Sequence, residues 1–379
     1  MKILVTGAYG FVGKNLISRL KNTGYEDIME YDRESSDEDL RRSCREAGIV
    51  FHLAGVNRPK DNKEFISGNT DLTKTIVSYL EEAGNNCPIV ITSSIQAESS
   101  DESNVYASSK RGAEQALYQH GKNTGAKVII YRMPNIFGKW SRPNYNSAVA
   151  TFCHNTARSL PIQVNDPEHM MHLVYIDDVV TELIEDMEML DEGREPAGTG
   201  EPCTAPRCTV YDVKLGYIAD TILSFPKLRE SRGVPVLSDE LTSKLYSTYL
   251  SFLPEDAFSY KLKMNKDDRG SFTEFIRTPD RGQVSVNISH PGIAKGNHWH
   301  DSKNEKFLVV KGKGLIRFRK VGTDEIIDYH VSDEELTVVD IPTGYVHCII
   351  NEGDEDMVTL MWASEAFDPA RADTYRENV

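Results

Sequence analysis

Short apolar runs alternate with helix-forming stretches through the first half of this chain, and that rhythm limits the fold more than any other feature. Residues 2–6 (KILVT) read as a buried strand that enters a Gly-rich turn. A helix over 13–23 follows, with Leu16, Ile17 and Leu20 on one face. Strand-like runs recur at 28–31, 49–54, 89–93 and 128–132, separated by helix-like stretches at 37–47, 69–83 and 108–122. Parallel neighbours need a crossover, and the crossover covers a sheet face. The alternation therefore predicts an α/β domain with a parallel sheet and helices on both sides. A further strand at 174–178 leads into a helix at 178–190.

Residues 191–208 are rich in Pro, Gly and Glu and read as a long surface loop. Helical stretches follow at 210–225 and 238–250. After Leu253-Pro254 the helical period disappears. Short strands at 283–289, 306–311, 315–319, 326–331, 336–341, 346–351 and 357–362, broken by Gly and Asp turns, predict an all-β sandwich or barrel. We therefore expect two domains: 1–253, with its loop at 191–208, and 254–379. A chain of 379 residues is also long for one core.

The excess of 58 acidic over 43 basic residues, a net charge of −15, opposes partnership with nucleic acid or an anionic membrane. No apolar stretch approaches the ~20 residues a membrane span needs, and the first apolar run leads into the Gly-rich turn rather than a cleavage site. The six cysteines show no framework spacing. Reduced thiols and a cytoplasmic location are expected.

Gly7, Gly10 and Gly13 lie between the first strand and the first helix. That context lets the backbone approach a pyrophosphate at a helix N-terminus, so dinucleotide binding is expected. Tyr106 and Lys110 share a helix face. Lys110 is expected to lower the phenol pKa from ~10 and to touch the ribose, making Tyr106 a proton carrier for a carbinol. Ser93-Ser94 and His52-Leu53-Ala54-Gly55 end strands on the same side, and residues 131–138 (YRMPNIFG) leave another towards it. The second strand ends in Asp32-Arg33, where an acid would grip the ribose of NAD and an arginine the phosphate of NADP. These two residues alone do not choose between the cofactors.

With these motifs, residues 1 to about 245 resemble the extended short-chain dehydrogenase/reductase family, a Rossmann-type fold acting largely on nucleotide sugars. The resemblance implies catalytic roles for Ser94, Tyr106 and Lys110. It implies cofactor contacts from Gly7, Gly10, Phe11, Val12, Leu53, Ala54, Asn69 and the stretch 131–135, with Asn135 at the substrate. Sugar dehydratases of that family place Asp-Glu after the catalytic hydroxyl. Ile95-Gln96 stands here, which argues against dehydration.

In the second domain His298 and His300 share a strand face, since the side-chain period is two, and Glu305 and His347 complete a three-His, one-carboxylate set. Such a set suits a divalent transition metal with positions left open. The stretch resembles the two cupin motifs, with Leu336 where a glycine is expected. Residues 267–274 (DDRGSFTE) are similar to the opening motif of the cupin-fold deoxysugar epimerases. That likeness implies sugar contacts from Arg269 and Lys295, and Lys306 beside the keto group. Tyr345, between Gly344 and His347, is placed to carry a proton in the same pocket. Those epimerases use a histidine base without metal, whereas His298 here belongs to a ligand set, so the base stays open.

Inverting a sugar carbon requires an adjacent carbonyl, and reducing that carbonyl locks the result. Epimerisation in the barrel must therefore precede reduction. The whole chain resembles the bifunctional capsular-polysaccharide enzymes that join these two folds. The resemblance implies C3 epimerisation of UDP-2-acetamido-2,6-dideoxy-hexos-4-ulose, then NADPH-dependent C4 reduction to the L-talose derivative, towards UDP-N-acetyl-L-fucosamine. It also implies zinc and a homodimer. A different nucleotide sugar, or a non-catalytic NADP and metal sensor, are the alternatives.

Overall fold

The computed structural model describes residues 1–101, 103–368, 370 and 372–379. The chain forms two compact units. One comprises Met1–Leu223 with Lys244–Leu253, the other Ser224–Ser243 with Pro254–Val379. Ser224–Ser243 thus groups with the second unit, fastened there by the Arg232–Glu274 ion pair (2.6 Å) and a Gly233–Arg277 bridge.

The first unit is built on a parallel sheet in the order β2-β1-β3-β4-β5: β1 Ile3–Thr6, β2 Ile28–Tyr31, β3 Ile49–His52, β4 Ile89–Ser94 and β5 Val128–Met133. Strand alternation divides its core. Ile3, Val5, Phe51 and Tyr131 pack with Leu16, Leu20, Val180 and Leu183 on one face. Leu4, Val50, Ile89 and Ile130 pack with Leu40, Ile76, Leu80 and Leu117 on the other. The chain leaves β1 to one side for β2 and returns on the other for β3. That reversal opens a crevice at the carboxyl ends of β1 and β3, the standard ligand position in such sheets. A smaller sheet orders β6 Asn135–Phe137, β7 Met170–Tyr175 and β8 Val210–Lys214.

Three local readings change. The helix expected over 210–225 starts as strand β8 and becomes helical only at Leu215–Glu230. The helix expected from residue 69 starts earlier, at Lys63–Phe65, and passes through a π-helical turn, Ile66–Asp71, before Leu72–Glu82. The loop 191–208 does not simply cross the surface. Ile130 N–H donates to Gly198, Cys203 N–H to Ile130, and Arg132 N–H to Cys203, so the loop satisfies the outer edge of β5.

The second unit is antiparallel throughout its two sheets. One orders β16 Val338–Ile341, β13 Glu305–Lys311, β18 Met357–Ala363, β11 Gln283–Ser289, β10 Gly270–Arg277 and β9 Asn265–Asp267. The other orders β15 Ile326–Ser332, β14 Lys313–Lys320, β17 Tyr345–Asn351, β12 Ala294–Trp299 and β19 Tyr375–Arg376. Phe307, Val309, Ile316, Phe318, Val339, Ile341 and Ile349 form the core between them. On β11 the usual alternation is inverted: Gln283, Ser285, Asn287 and Ser289 are buried while Val284, Val286 and Ile288 are half exposed. A buried row of amides and hydroxyls is what a polar cavity requires rather than a dry core. Among the described residues no helix is long and apolar enough to cross a membrane.

Candidate active site and metal centre

The Gly-rich turn owes its shape to contacts only glycine permits. A Cβ on Gly7, which adopts φ +68°, would lie 2.7 Å from Ala54 N. A Cβ on Gly13 would lie 2.2 Å from Gly7 O. Leu53 and Ala54 leave β3 directly against the turn, with Phe11 and Val12 half-buried beside it. Helix Phe11–Asn22 starts at Gly10 with no side-chain cap, so its first-turn N–H groups keep their capacity for an anion. Asp32 turns inward, its carboxylate accepting from Tyr9 N and Arg33 N at 2.8 Å each. The Arg33 side chain is exposed, and among the described residues no ion pair holds it.

Ser94, Tyr106 and Lys110 converge at the end of β4. The Ser94 hydroxyl is close enough to the Tyr106 phenol to favour its ionised form. Burial pushes the Tyr106 pKa up, and the Ser94 hydroxyl only partly offsets it. This corrects the expectation that Lys110 lowers the phenol: burial is the largest influence on Tyr106, and Lys110 Nζ lies 3.4 Å from Thr92 O. Lys110 is 6% exposed and its own pKa is pushed down to about 8 by burial, against the attraction of Glu114. Asn69, in the π-helical turn, spends its amide on Val56 N (2.9 Å), Val56 O and Ser109 Oγ (3.0 Å). It therefore braces the 53–56 segment beside Lys110. Asn135 is exposed at the start of β6, with its amide 3.4 Å from His172 O.

Sequence reasoning missed Glu114, one turn beyond Lys110. This buried carboxylate accepts from Ser93 Oγ (2.5 Å) and from Arg132 (2.6 Å), tying β4, β5 and the Tyr106 helix together. The i, i+4 spacing from Lys110 was the available signal.

In the second unit His298, His300, Glu305 and His347 bring one potential ligand atom each within 4.8 Å of one another. A bulge after Gly296 aims His298. Gly296 (φ +109°) and Asn297 (φ 56°) are left-handed, and the register shifts there so that His298 pairs with His347. A Cβ on Gly296 would lie 2.8 Å from His347 O. His300 follows β12, Glu305 opens β13 and His347 sits inside β17. The Nε2 atoms of His300 and His347 are buried without a hydrogen-bond partner, 3.5 and 3.4 Å from Glu305 Oε2. Orphaned buried nitrogens converging on a carboxylate are the pattern a cation would resolve. Burial, with the neighbouring His347 and His300, pushes the His298 pKa down to about 4, which leaves a neutral donor. Burial alone would raise Glu305, yet His300, His347 and Lys303 hold it well below the usual carboxylate range.

The proposed sugar contacts separate. Lys295 is half-buried, donating to Asn287 Oδ1 (2.9 Å) and Ile288 O (2.7 Å), in line with the buried polar row of β11. Lys306 requires correction. It pairs across β13 with Asp340 and Trp362, on the face opposite Glu305, and is ion-paired to Asp340. Successive strand residues point to opposite faces, so a lysine directly after an inward ligand points outward. Arg269 also departs from its expected role: it is exposed in the β9–β10 turn and bound to Asp267 at 2.6 Å. Tyr345 shares the His347 face and packs against the core. Lys303, 3.6 Å from Glu305 Oε1, is the cation that sequence reasoning overlooked.

Residues 3–197 match the NAD dependent epimerase/dehydratase family, and residues 265–375 match the polysaccharide biosynthesis C-terminal domain. A Pseudomonas aeruginosa protein, UDP-2-acetamido-2,6-beta-L-arabino-hexul-4-ose reductase, is 44% identical over 382 residues, covering 100% of this chain and 99% of its own. The crystal structure of the capsular polysaccharide assembling protein CapF from Staphylococcus aureus superposes with a TM-score of 0.91 at 50% identity, covering 100% of both chains. UDP-glucose 4-epimerase from Thermotoga maritima, 18% identical with a TM-score of 0.54 over 66% of this chain and 98% of its own, shares the fold.

Proposed function

The chain belongs to the NAD dependent epimerase/dehydratase family, and from that premise we propose a bifunctional UDP-sugar enzyme of surface-polysaccharide synthesis. The barrel epimerises C3 of UDP-2-acetamido-2,6-dideoxy-hexos-4-ulose. The Rossmann unit then reduces the C4 ketone with NADPH to the L-talose derivative, towards UDP-N-acetyl-L-fucosamine. One observation carries the reading: a single chain holds both the Ser94–Tyr106–Lys110 convergence and the three-His, one-Glu cluster. The full-length relative that is named a 4-ulose reductase supports the substrate class.

When bound, a nicotinamide dinucleotide would supply hydride, and a divalent cation, zinc by the resemblance to the capsular-polysaccharide enzymes, would supply Lewis acidity. Gly7, Gly10, Phe11 and Val12 would cradle the pyrophosphate, and Arg33 the 2′-phosphate, because Asp32 is occupied by the turn. Ser94 orients the C4 carbonyl. Tyr106, kept protonated by its raised pKa, is a proton donor to the forming alkoxide. Lys110 binds the ribose. In the barrel, His298, His300, Glu305 and His347 hold the cation. Lys295, which reaches the polar row of β11, and Tyr345, on the His347 face against the apolar core, are the residues assigned to moving the C3 proton and stabilising the enolate oxygen. The protein is read as a cytoplasmic homodimer.

Incubation with the 4-keto UDP-sugar in deuterated water tests this. Deuterium should enter C3 without NADPH, and adding NADPH should yield the reduced, C3-labelled sugar. Reduction without any C3 exchange would remove the epimerase half of the reading.

A further inference from the structure

The segment 373–379 is tied to the strand that carries His298 and leads into His300. Tyr375 and Arg376 pair with Trp299 and His298, and the Tyr375 and Trp299 rings stack at 4.7 Å. Glu377 N–H donates to Asn297 O, and its carboxylate meets Arg319 at 2.6 Å. At the head of this strap, Asp373 touches the ligand set in two ways. Its main-chain carbonyl accepts from the Nδ1 side of the His300 ring. Its carboxylate accepts from Asp301 N, Ser302 N and Lys303 N, each at 2.8 Å, and from Ser302 Oγ at 3.0 Å. Those three amides form the loop between His300 and Glu305, so one residue holds both a ligand ring and the spacer to the next ligand.

We infer that Asp373 is the positioning residue of the cation site, resting on the metal reading above. A carbonyl is acceptor-only, so it selects the His300 tautomer protonated at Nδ1 and leaves the Nε2 lone pair directed at Glu305 and His347. The carboxylate has no main-chain substitute. Without it three loop N–H groups lose their common acceptor, and the His300–Glu305 separation is no longer held.

The test uses full-length protein loaded with Co2+. Asp373→Asn and Asp373→Ala should release Co2+ to chelator ~10- to 100-fold faster than wild type. The d–d absorption band should shift, while NADPH affinity stays at the wild-type value. Asp373→Glu should recover part of the retention. Variants with wild-type release and an unchanged band overturn the proposal. If Asp373→Ala does not fold, the near-isosteric Asn variant decides by the same criterion. A measurement without variants decides independently: imidazole 15N spectra of the wild-type apoprotein should show His300 protonated at Nδ1, and the Nε2–H tautomer overturns the inference. Wild-type protein that takes up no Co2+ removes the metal reading itself. Wild type that binds Co2+ beside variants that bind it equally removes Asp373 alone.

Discussion

Lys110→Met should make the Rossmann unit more stable while disabling it. The ammonium is 6% exposed, and its pKa falls from 10.5 to about 8, with desolvation the largest cause. At 1.36 kcal/mol per pH unit that gap corresponds to ~3 kcal/mol of folding free energy lost to keeping the charge inside. Below pH 8 both folded and unfolded chains carry the proton, and the full penalty is present. Between pH 8 and 10.5 the unfolded chain binds more protons, so stability rises with pH. Above 10.5 both are neutral and the penalty has gone. Methionine preserves volume and removes the charge. The lost hydrogen bond to Thr92 O is long at 3.4 Å, which leaves a net gain of ~1–3 kcal/mol at pH 7. Calorimetry of the apoprotein should show a rise of roughly 2–4 °C per kcal/mol for a unit of this size. The wild-type deficit should close between pH 8 and 10.5, and ketone reduction should fall ~10²-fold. A variant less stable than wild type at pH 7, or a deficit independent of pH across that window, refutes the argument.

Tyr106→Phe removes the proton donor and should cut NADPH oxidation by ~10²-fold or more, with C3 deuterium exchange untouched. Wild-type NADPH oxidation would end that assignment. Arg33→Ala should weaken NADPH binding and spare NADH, read by fluorescence titration; equal losses would return the 2′ position to Asp32. Alanine at His298, His300, Glu305 or His347 should each lower metal content by elemental analysis and lower the barrel melting temperature, because bound ion contributes folding free energy. A fully active wild-type enzyme purified without metal would contradict this.

Much of the site was legible because its signals are local. Gly7, Gly10 and Gly13 announce a turn that excludes Cβ atoms, and Tyr106 and Lys110 share a face by helical period alone. The outward side of Lys306 was legible too. Once Glu305 is a ligand, strand alternation turns its neighbour away, and following family likeness over alternation produced the error. Composition misled at 191–208, because a Gly- and Pro-rich segment shows no sign of the open edge of β5 that it covers.

What the sequence determined by itself was periodicity: that strands alternate with helices in the first half and give way to short strands in the second, and which ligand pairs share a face. Tertiary structure alone decided which groups lose water and which distant atoms meet. Burial, rather than the neighbouring lysine, governs Tyr106. The inverted row of β11 becomes an interior only once the two sheets close. Asp373 reaches His300 across 73 positions of sequence. The physical reason is that desolvation and long-range pairing depend on what the rest of the chain brings alongside, and no short-range period encodes that.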